Sequence, residues 1–237
     1  GLNVTYPHKE ALFAATGPHD AVAAACRAVN TLVPLAPGEA GAGRVPYRGA
    51  NTDGEGLALF LERELATAVA GAHAVMLGAG GSARSVLWAL AGRGLARLSV
   101  VNRSPARFRD DFFGALRARA GATQVDLVAL PPDDPGTRDL LHAADLVIHA
   151  TPVGLSGTSD GRMPWPVADL TRPLVVDLNY RAGSLTPFLA ALPRTTRAFD
   201  GKGMLLYQAA EAFRLWFGRF PDTTGMLATL GVQTPKP

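Results

Sequence analysis

Cysteine is almost missing from this 237-residue chain: Cys26 is the only one. No intramolecular disulfide can form, which fits a reducing compartment. The histidines, His8, His19, His73, His142 and His149, show no paired spacing, so neither a Cys/His zinc cluster nor a catalytic metal is expected. No uninterrupted apolar run is long enough to span a bilayer, and no signal-peptide pattern is visible. Charge of one sign is also lacking: the net is +3, with the arginines scattered among acids. A nucleic-acid surface would gather that charge into one stripe. These absences set the expectation of a cytoplasmic protein with neither nucleic-acid nor membrane partners. Aromatics are sparse at 7 %, against 48 % hydrophobic residues and 26 glycines, a composition ordinary for an α/β protein with one large core or two modest ones.

Residues 2–5 read as the end of a strand, which Pro7 stops from continuing. Residues 10–15 and 20–29 read as short helices, and 34–47, rich in Pro and Gly, as a turn or hairpin tip. Over 54–70, Leu57, Phe60, Leu61, Leu65 and Val69 recur at helical spacing and predict a connecting helix. A βα unit follows, with a strand at 74–77, a glycine turn at 78–81 and a helix at 82–91. The pattern repeats as strand 98–101 and helix 105–120, and 123–130, 146–150 and 174–177 supply further strands. Such alternation argues for a doubly wound parallel sheet in an α/β fold. Residues 203–217 form an amphipathic helix carrying Gln208, and 218–237 a loop, one short helix and a frayed end.

Gly78-Ala79-Gly80-Gly81-Ser82-Ala83 matches G-x-G-x-x-A between a strand and a helix, the context of a dinucleotide turn. The first glycine permits the tight turn and the second lets backbone approach a pyrophosphate. Ala83 allows close helix–strand packing, and the helix N-terminus favours negative charge. The end of the next strand selects the dinucleotide. Asn102-Arg103-Ser104, with Arg107 a turn later, stands where an NAD site carries an acid. Guanidiniums that fork onto phosphate oxygens suit a 2′-phosphate, so NADP is the expected cofactor. Ala150-Thr151-Pro152-Val153-Gly154 ends another strand, where it is either an ordinary turn or a neighbour of the nicotinamide.

Two polar clusters carry the remaining chemistry. Leu2-Asn3-Val4-Thr5-Tyr6-Pro7-His8-Lys9 and Asn51-Thr52-Asp53-Gly54 each place amides and hydroxyls beside one ionisable group. Asn3 and Thr5 alternate on one face of the strand, and Asn30-Thr31 repeats the chemistry. Such groups suit a small polyhydroxylated molecule, and a Lys–Asp pair can move a proton. In order along the chain, Asn-Val-Thr-x-Pro-x-Lys, Ala28-Val29-Asn30-Thr31, Asn51-Thr52-Asp53-Gly54, the glycine turn, Asn102-Arg103-Ser104-x-x-Arg107, Ala150-Thr151-Pro152-x-Gly154, Asp177-x-x-Tyr180 and Gly203-Met204-Leu205-x-x-Gln208-Ala209 resemble the shikimate dehydrogenases.

That resemblance implies a two-domain NADP enzyme that reversibly reduces 3-dehydroshikimate to shikimate. The Rossmann domain would span 57–200 with its connecting helix, and a smaller α/β substrate domain would form from both chain ends, 1–56 and 201–237. Lys9 and Asp53 match the catalytic pair, and Asn3, Thr5, Asn30, Tyr180 and Gln208 match substrate contacts. Thr151 and Gly203 join the glycine turn and the Asn102–Arg107 stretch as cofactor contacts. Domain closure is expected, with hinges near 54–57 and 200–203. The family carries a further N-terminal segment with a Ser-x-Ser or Ser-x-Thr pair for the substrate carboxylate, which this sequence does not contain. A truncated product or a fragment is the expectation, and a non-catalytic NADP-binding paralogue is one alternative. Quinate oxidation, as in the related quinate/shikimate dehydrogenases, is another. Two departures stand out: Arg27 replaces a small residue and reads as a salt-bridged surface arginine ahead of a substitute partner for the substrate carboxylate, and His149 replaces an Asn and reads as a hydrogen-bonded strand end ahead of a proton shuttle. A homodimer is left open.

Overall fold

The structure, a computed structural model, describes residues 1–5, 7–39, 45–108, 111–153 and 163–232. Tyr6, the tip of the 34–47 turn and Gly154 lie outside them. Strands β1 (Leu2–Asn3), β2 (Thr31–Pro34) and β3 (Tyr47–Ala50) make a small antiparallel sheet in that order, flanked by helices α1 (Lys9–Ala15) and α2 (Ala21–Cys26). Asp20 caps α2, its side chain accepting from the Ala23 backbone N–H at 2.6 Å, and the helix stops at Arg27 in a left-handed conformation, φ 52°. Sequence reading found the hairpin turn here but not its strands, because β2 is a four-residue apolar run cut off by its own proline.

The chain then enters α3 (Asp53–Arg63) and a six-stranded parallel sheet of order β6-β5-β4-β7-β8-β9. Its strands are β4 (His73–Leu77), β5 (Arg97–Val101), β6 (Gln124–Val128), β7 (Leu146–His149), β8 (Leu174–Asp177) and β9 (Ala198–Phe199). Between them run α4 (Gly81–Ala91), α5 (Asp111–Ala120), α6 (Pro135–Ala143) and α7 (Pro187–Ala190). Alternate side chains of each strand go to opposite faces. Ala74, Met76, Leu98 and Val100 pack with α3, α4, α5 and the long helix α8 (Lys202–Phe217). Val75, Leu77 and Val147 instead meet Leu141 of α6 and Phe188 of α7. Burial on both faces is why these strands read as continuous apolar runs. The chain order reverses between β5-β4 and β7, which places a crevice at the carboxyl ends of β4 and β7.

Three predicted helices are shorter than expected, the 20–29 helix being only α2, Ala21–Cys26. The 54–70 helix ends at Arg63, yet Leu65 and Val69 stay buried through a turn in which Ala66 takes φ 46°. Their spacing recorded burial rather than helix. The 105–120 helix is a 3-10 turn, Pro105–Phe108, followed by α5. α9 (Thr224–Leu230) is the short helix expected near the end. No described helix is long and apolar enough to cross a membrane.

Candidate active site

Lys9 opens α1 and Asp53 opens α3, from segments separated by the small sheet. Their side chains meet: Lys9 Nζ lies 2.5 Å from Asp53 Oδ2, with the lysine side chain 16 % exposed and the aspartate 5 %. Every oxygen of the carboxylate is occupied. Asn30 Nδ2 donates to Oδ1 at 2.7 Å, and Ser82 Oγ donates to Oδ2 at 3.1 Å. Position at the start of α3 also exposes the carboxylate to the positive end of that helix.

A buried amide network fixes this pair. Asn30 Oδ1 accepts from the Thr52 backbone N–H at 2.9 Å and from Thr31 Oγ1 at 2.9 Å, while its Nδ2 also reaches Gln208 Oε1 at 3.3 Å. Asn51 Nδ2 donates to the Ala28 carbonyl at 2.9 Å, and its Oδ1 accepts from Ser85 Oγ at 2.8 Å and from the Asp53 N–H at 3.1 Å. Asn30, Asn51, Thr52 and Asp53 are each at most 4 % exposed, so these bonds hold strongly in a low-dielectric setting.

Of the residues expected at the substrate, Asn30 and Gln208 therefore join the Lys–Asp pair. Asn3 lies at the margin, its Oδ1 accepting from Thr31 Oγ1 at 3.5 Å. Thr5 and Tyr180 are exposed, and neither side chain bonds to the cluster among the described residues. Ser82, expected as part of the cofactor turn, instead turns its hydroxyl onto Asp53 and within 3.4 Å of Lys9 Nζ. Sequence reading passed over Ser85 as a site residue, although its place three residues after Ser82 puts both on one side of α4.

The glycine turn has the geometry that the motif requires. Gly78 takes φ 111°, and a Cβ there would meet Thr151 Cγ2 at 3.1 Å. A Cβ on Gly80 would meet nothing within 4 Å, so the turn's backbone is open to a ligand. Ala79 and Ala83 are buried beneath it. A cavity of about 620 Å³ opens between α1 and α2 on one side and the turn, the 3-10 segment and α5 on the other. Arg84 and Arg107 line it, with the Arg84 guanidinium 5.2 Å over the Phe112 ring. Arg103 is exposed after β5, and Asn102 Nδ2 donates to the Ser104 carbonyl at 3.0 Å, holding that turn. These donors fit a dinucleotide phosphate set.

Other expectations resolve into structure. Gly203 is packed on Phe60, whose ring a Cβ would meet at 2.4 Å, so its smallness serves helix packing. His149 is fully buried between Asp177, at 2.9 Å from Nδ1, and Thr151 Oγ1, at 2.5 Å from Nε2. Arg27 is not salt-bridged among the described residues; its guanidinium lies 5.7 Å over the Phe13 ring. Burial pushes the Cys26 thiol up to about 12, despite Arg84 nearby, which leaves it no nucleophile at neutral pH. No group of three or more His, Cys, Asp or Glu suited to a metal occurs among the described residues.

The chain is similar to known proteins along most of its length. Residues 201–230 match the family model described as the shikimate 5'-dehydrogenase C-terminal domain. A shikimate dehydrogenase (NADP(+)) of Moorella thermoacetica is 43 % identical over 222 residues, covering 92 % of this chain and 70 % of the relative. A shikimate 5-dehydrogenase structure from Thermus thermophilus, in complex with NADP(H) and shikimate, superposes with TM-score 0.68 at 31 % identity, over 97 % of this chain and 77 % of that one. A quinate dehydrogenase structure from Corynebacterium glutamicum, in complex with NAD, gives TM-score 0.76 at 31 % identity, over 96 % of this chain and 76 % of that one.

Proposed function

The chain belongs to the shikimate dehydrogenase family, and we propose that Lys9 and Asp53 carry the proton transfer of its reaction. That reaction is the reversible, NADP-dependent reduction of 3-dehydroshikimate to shikimate. When bound, the nicotinamide cofactor supplies hydride to the ketone carbon or takes it back. As the carbonyl oxygen gains charge, Lys9 Nζ donates a proton to it and stabilises the developing alkoxide meanwhile. Asp53 aims the ammonium through the 2.5 Å contact. In the oxidation direction Lys9 receives the hydroxyl proton. Asn30 and Gln208, bonded to each other beside the Lys–Asp pair, are assigned with Asn3, Thr5 and Tyr180 to the substrate.

The glycine turn and Gly80's open side receive the pyrophosphate, and Arg103, Ser104 and Arg107 receive the 2′-phosphate. We assign substrate binding to 1–56 and 201–237 and cofactor binding to 57–200. What supports this division is the small antiparallel sheet, with Lys9 on its flanking helix α1 and Asn30 just before β2, as a sheet separate from the parallel one whose β4 leads into the turn. The observation that carries the reading is the Lys9–Asp53 pair, joined by Ser82 to the first turn of α4.

The test is shikimate-dependent reduction of NADP at mildly alkaline pH, followed by nicotinamide absorbance, with quinate and NAD as comparators. Turnover preferring shikimate and NADP, and lost in Lys9→Ala, is expected. Undiminished turnover by Lys9→Ala would remove the lysine from the chemistry.

A further inference from the structure

We propose that Arg27 is a cofactor ligand contributed from the α2 side of the cleft, binding the dinucleotide pyrophosphate opposite the glycine turn. The proposal rests on the cofactor assignment above. Its first support is conformational. Arg27 ends α2 at φ 52°, a left-handed position where glycine is the relaxed residue and an arginine is strained. Strain of this kind persists where the surroundings fix the residue, and it gathers at ligand clamps.

Location is the second support. The next residue, Ala28, has its Cβ 3.8 Å from where a Cβ on Gly81 would stand, so the end of α2 abuts the first turn of α4. Arg27 lines the same cavity as Gly80, Gly81, Arg84 and Arg107. The third support is charge. Three guanidiniums and two carboxylates, Glu10 and Asp111, face this cavity, and among the described residues no carboxylate pairs with Arg27. Three cations against two carboxylates leave the lining with a net positive charge, which favours an anionic ligand. Arg103 and Arg107 follow β5 and serve the 2′-phosphate end, whereas Arg27 shares the cavity with Gly80 and Gly81 and its chain neighbour Ala28 lies beside Gly81, at the pyrophosphate end. Both sides of the cleft then hold one cofactor, and the Arg27 contact favours the closed arrangement.

The experiment is equilibrium binding of NADP and of NAD to the whole chain, its Arg27→Gly and Arg27→Lys variants, at two salt concentrations. Arg27→Gly should raise Kd for both dinucleotides about tenfold, the size of one charge-assisted contact. It should also weaken the salt dependence, and Arg27→Lys should recover part of the loss. The unliganded Arg27→Gly chain should unfold at or above the parent's Tm, because glycine relaxes the φ 52° position. Should that variant fail to fold, Arg27→Lys decides alone through Kd and salt slope. Unchanged Kd values would overturn the proposal, and a loss confined to NADP would move the contact to the 2′-phosphate and overturn it as stated. A parent chain binding neither dinucleotide would overturn it together with the cofactor assignment.

Discussion

Replacing Lys9 by Met keeps most of the aliphatic stem and removes the charge, so its effect separates stability from chemistry. At an effective dielectric of about 20, unit charges at the observed 2.5 Å attract by ~7 kcal/mol, most of it offset by desolvating both groups. Removing one partner of such a pair leaves the other charge buried, at a cost of ~3–5 kcal/mol. Asp53 retains hydrogen bonds from Asn30 and Ser82, which places the expected loss at the lower end, about 3 kcal/mol. Adding Asp53→Asn removes the stranded charge while an amide still accepts from Asn30 and donates to Ser82. The double variant should therefore regain roughly 2 kcal/mol over Lys9→Met. Activity should not follow, because neither variant has a proton donor, and kcat should fall ~10²–10⁴-fold in both. Urea unfolding with linear extrapolation and initial rates of NADP reduction read the two quantities. A double variant no more stable than Lys9→Met would refute the buried-pair argument, and Lys9→Met retaining more than a tenth of parental kcat would refute the proton-transfer role.

Two further outcomes test the surroundings. With its thiol held up to about 12 by burial, Cys26 should react with iodoacetamide at pH 8 more than ~10³-fold slower than an unfolded thiol. Labelling of the folded chain at a peptide-like rate would contradict that environment. Burial holds His73 below its ordinary 6.5, against the bond near the Ala143 carbonyl that favours its charge. Between the two pKa values the unfolded chain carries more protons there, so acidification through 6.5 lowers stability until the folded group also protonates. Tm measured from pH 7.5 to 5.5 should fall less steeply in His73→Asn than in the parent, and equal slopes would contradict the shift.

The parallel sheet was legible because its strands are buried on both faces, and runs such as Val75-Met76-Leu77 and Leu174-Val175-Val176 leave no polar residue to blur them. The small sheet was less legible: β2 and β3 have four residues each, too few for a period to show, and the two-residue β9 at the edge of the parallel sheet is shorter still. Lys9, Asp53, Asn30 and Gln208 were singled out by polar company in an apolar chain and by family resemblance, and the structure brings them together. Ser82 was read for one neighbour and found another. Its place after the glycines is visible in sequence, but that α3 approaches α4 at this point is a tertiary fact no local pattern encodes. Tyr180 shows the converse, a motif position that the structure leaves 47 % exposed.

The segments expected to hinge are the ones where backbones approach most closely. A Cβ on Gly54 would stand 2.0 Å from the Ser85 carbonyl oxygen, and one on Gly56 would stand 2.6 Å from the Gln208 backbone nitrogen. At the other segment, a Cβ on Gly201 would meet the Leu178 carbonyl oxygen at 2.2 Å, and Gly203 fits against Phe60. Here glycine is used for contact, and residues 54–57 lie within the continuous helix α3. The Gly54 N–H also donates to Ser85 Oγ at 2.8 Å, tying the first turn of α3 to α4. Asp53 begins α3, and Ser82 lies in the first turn of α4. The distance from the proton-transfer pair to the glycine turn is therefore set by backbone packing, which any closing motion must carry as one unit. The end of α2, where Arg27 faces the turn across the cavity, has no such glycine joint, and Ala28 meets Gly81 only at ordinary contact distance, 3.8 Å.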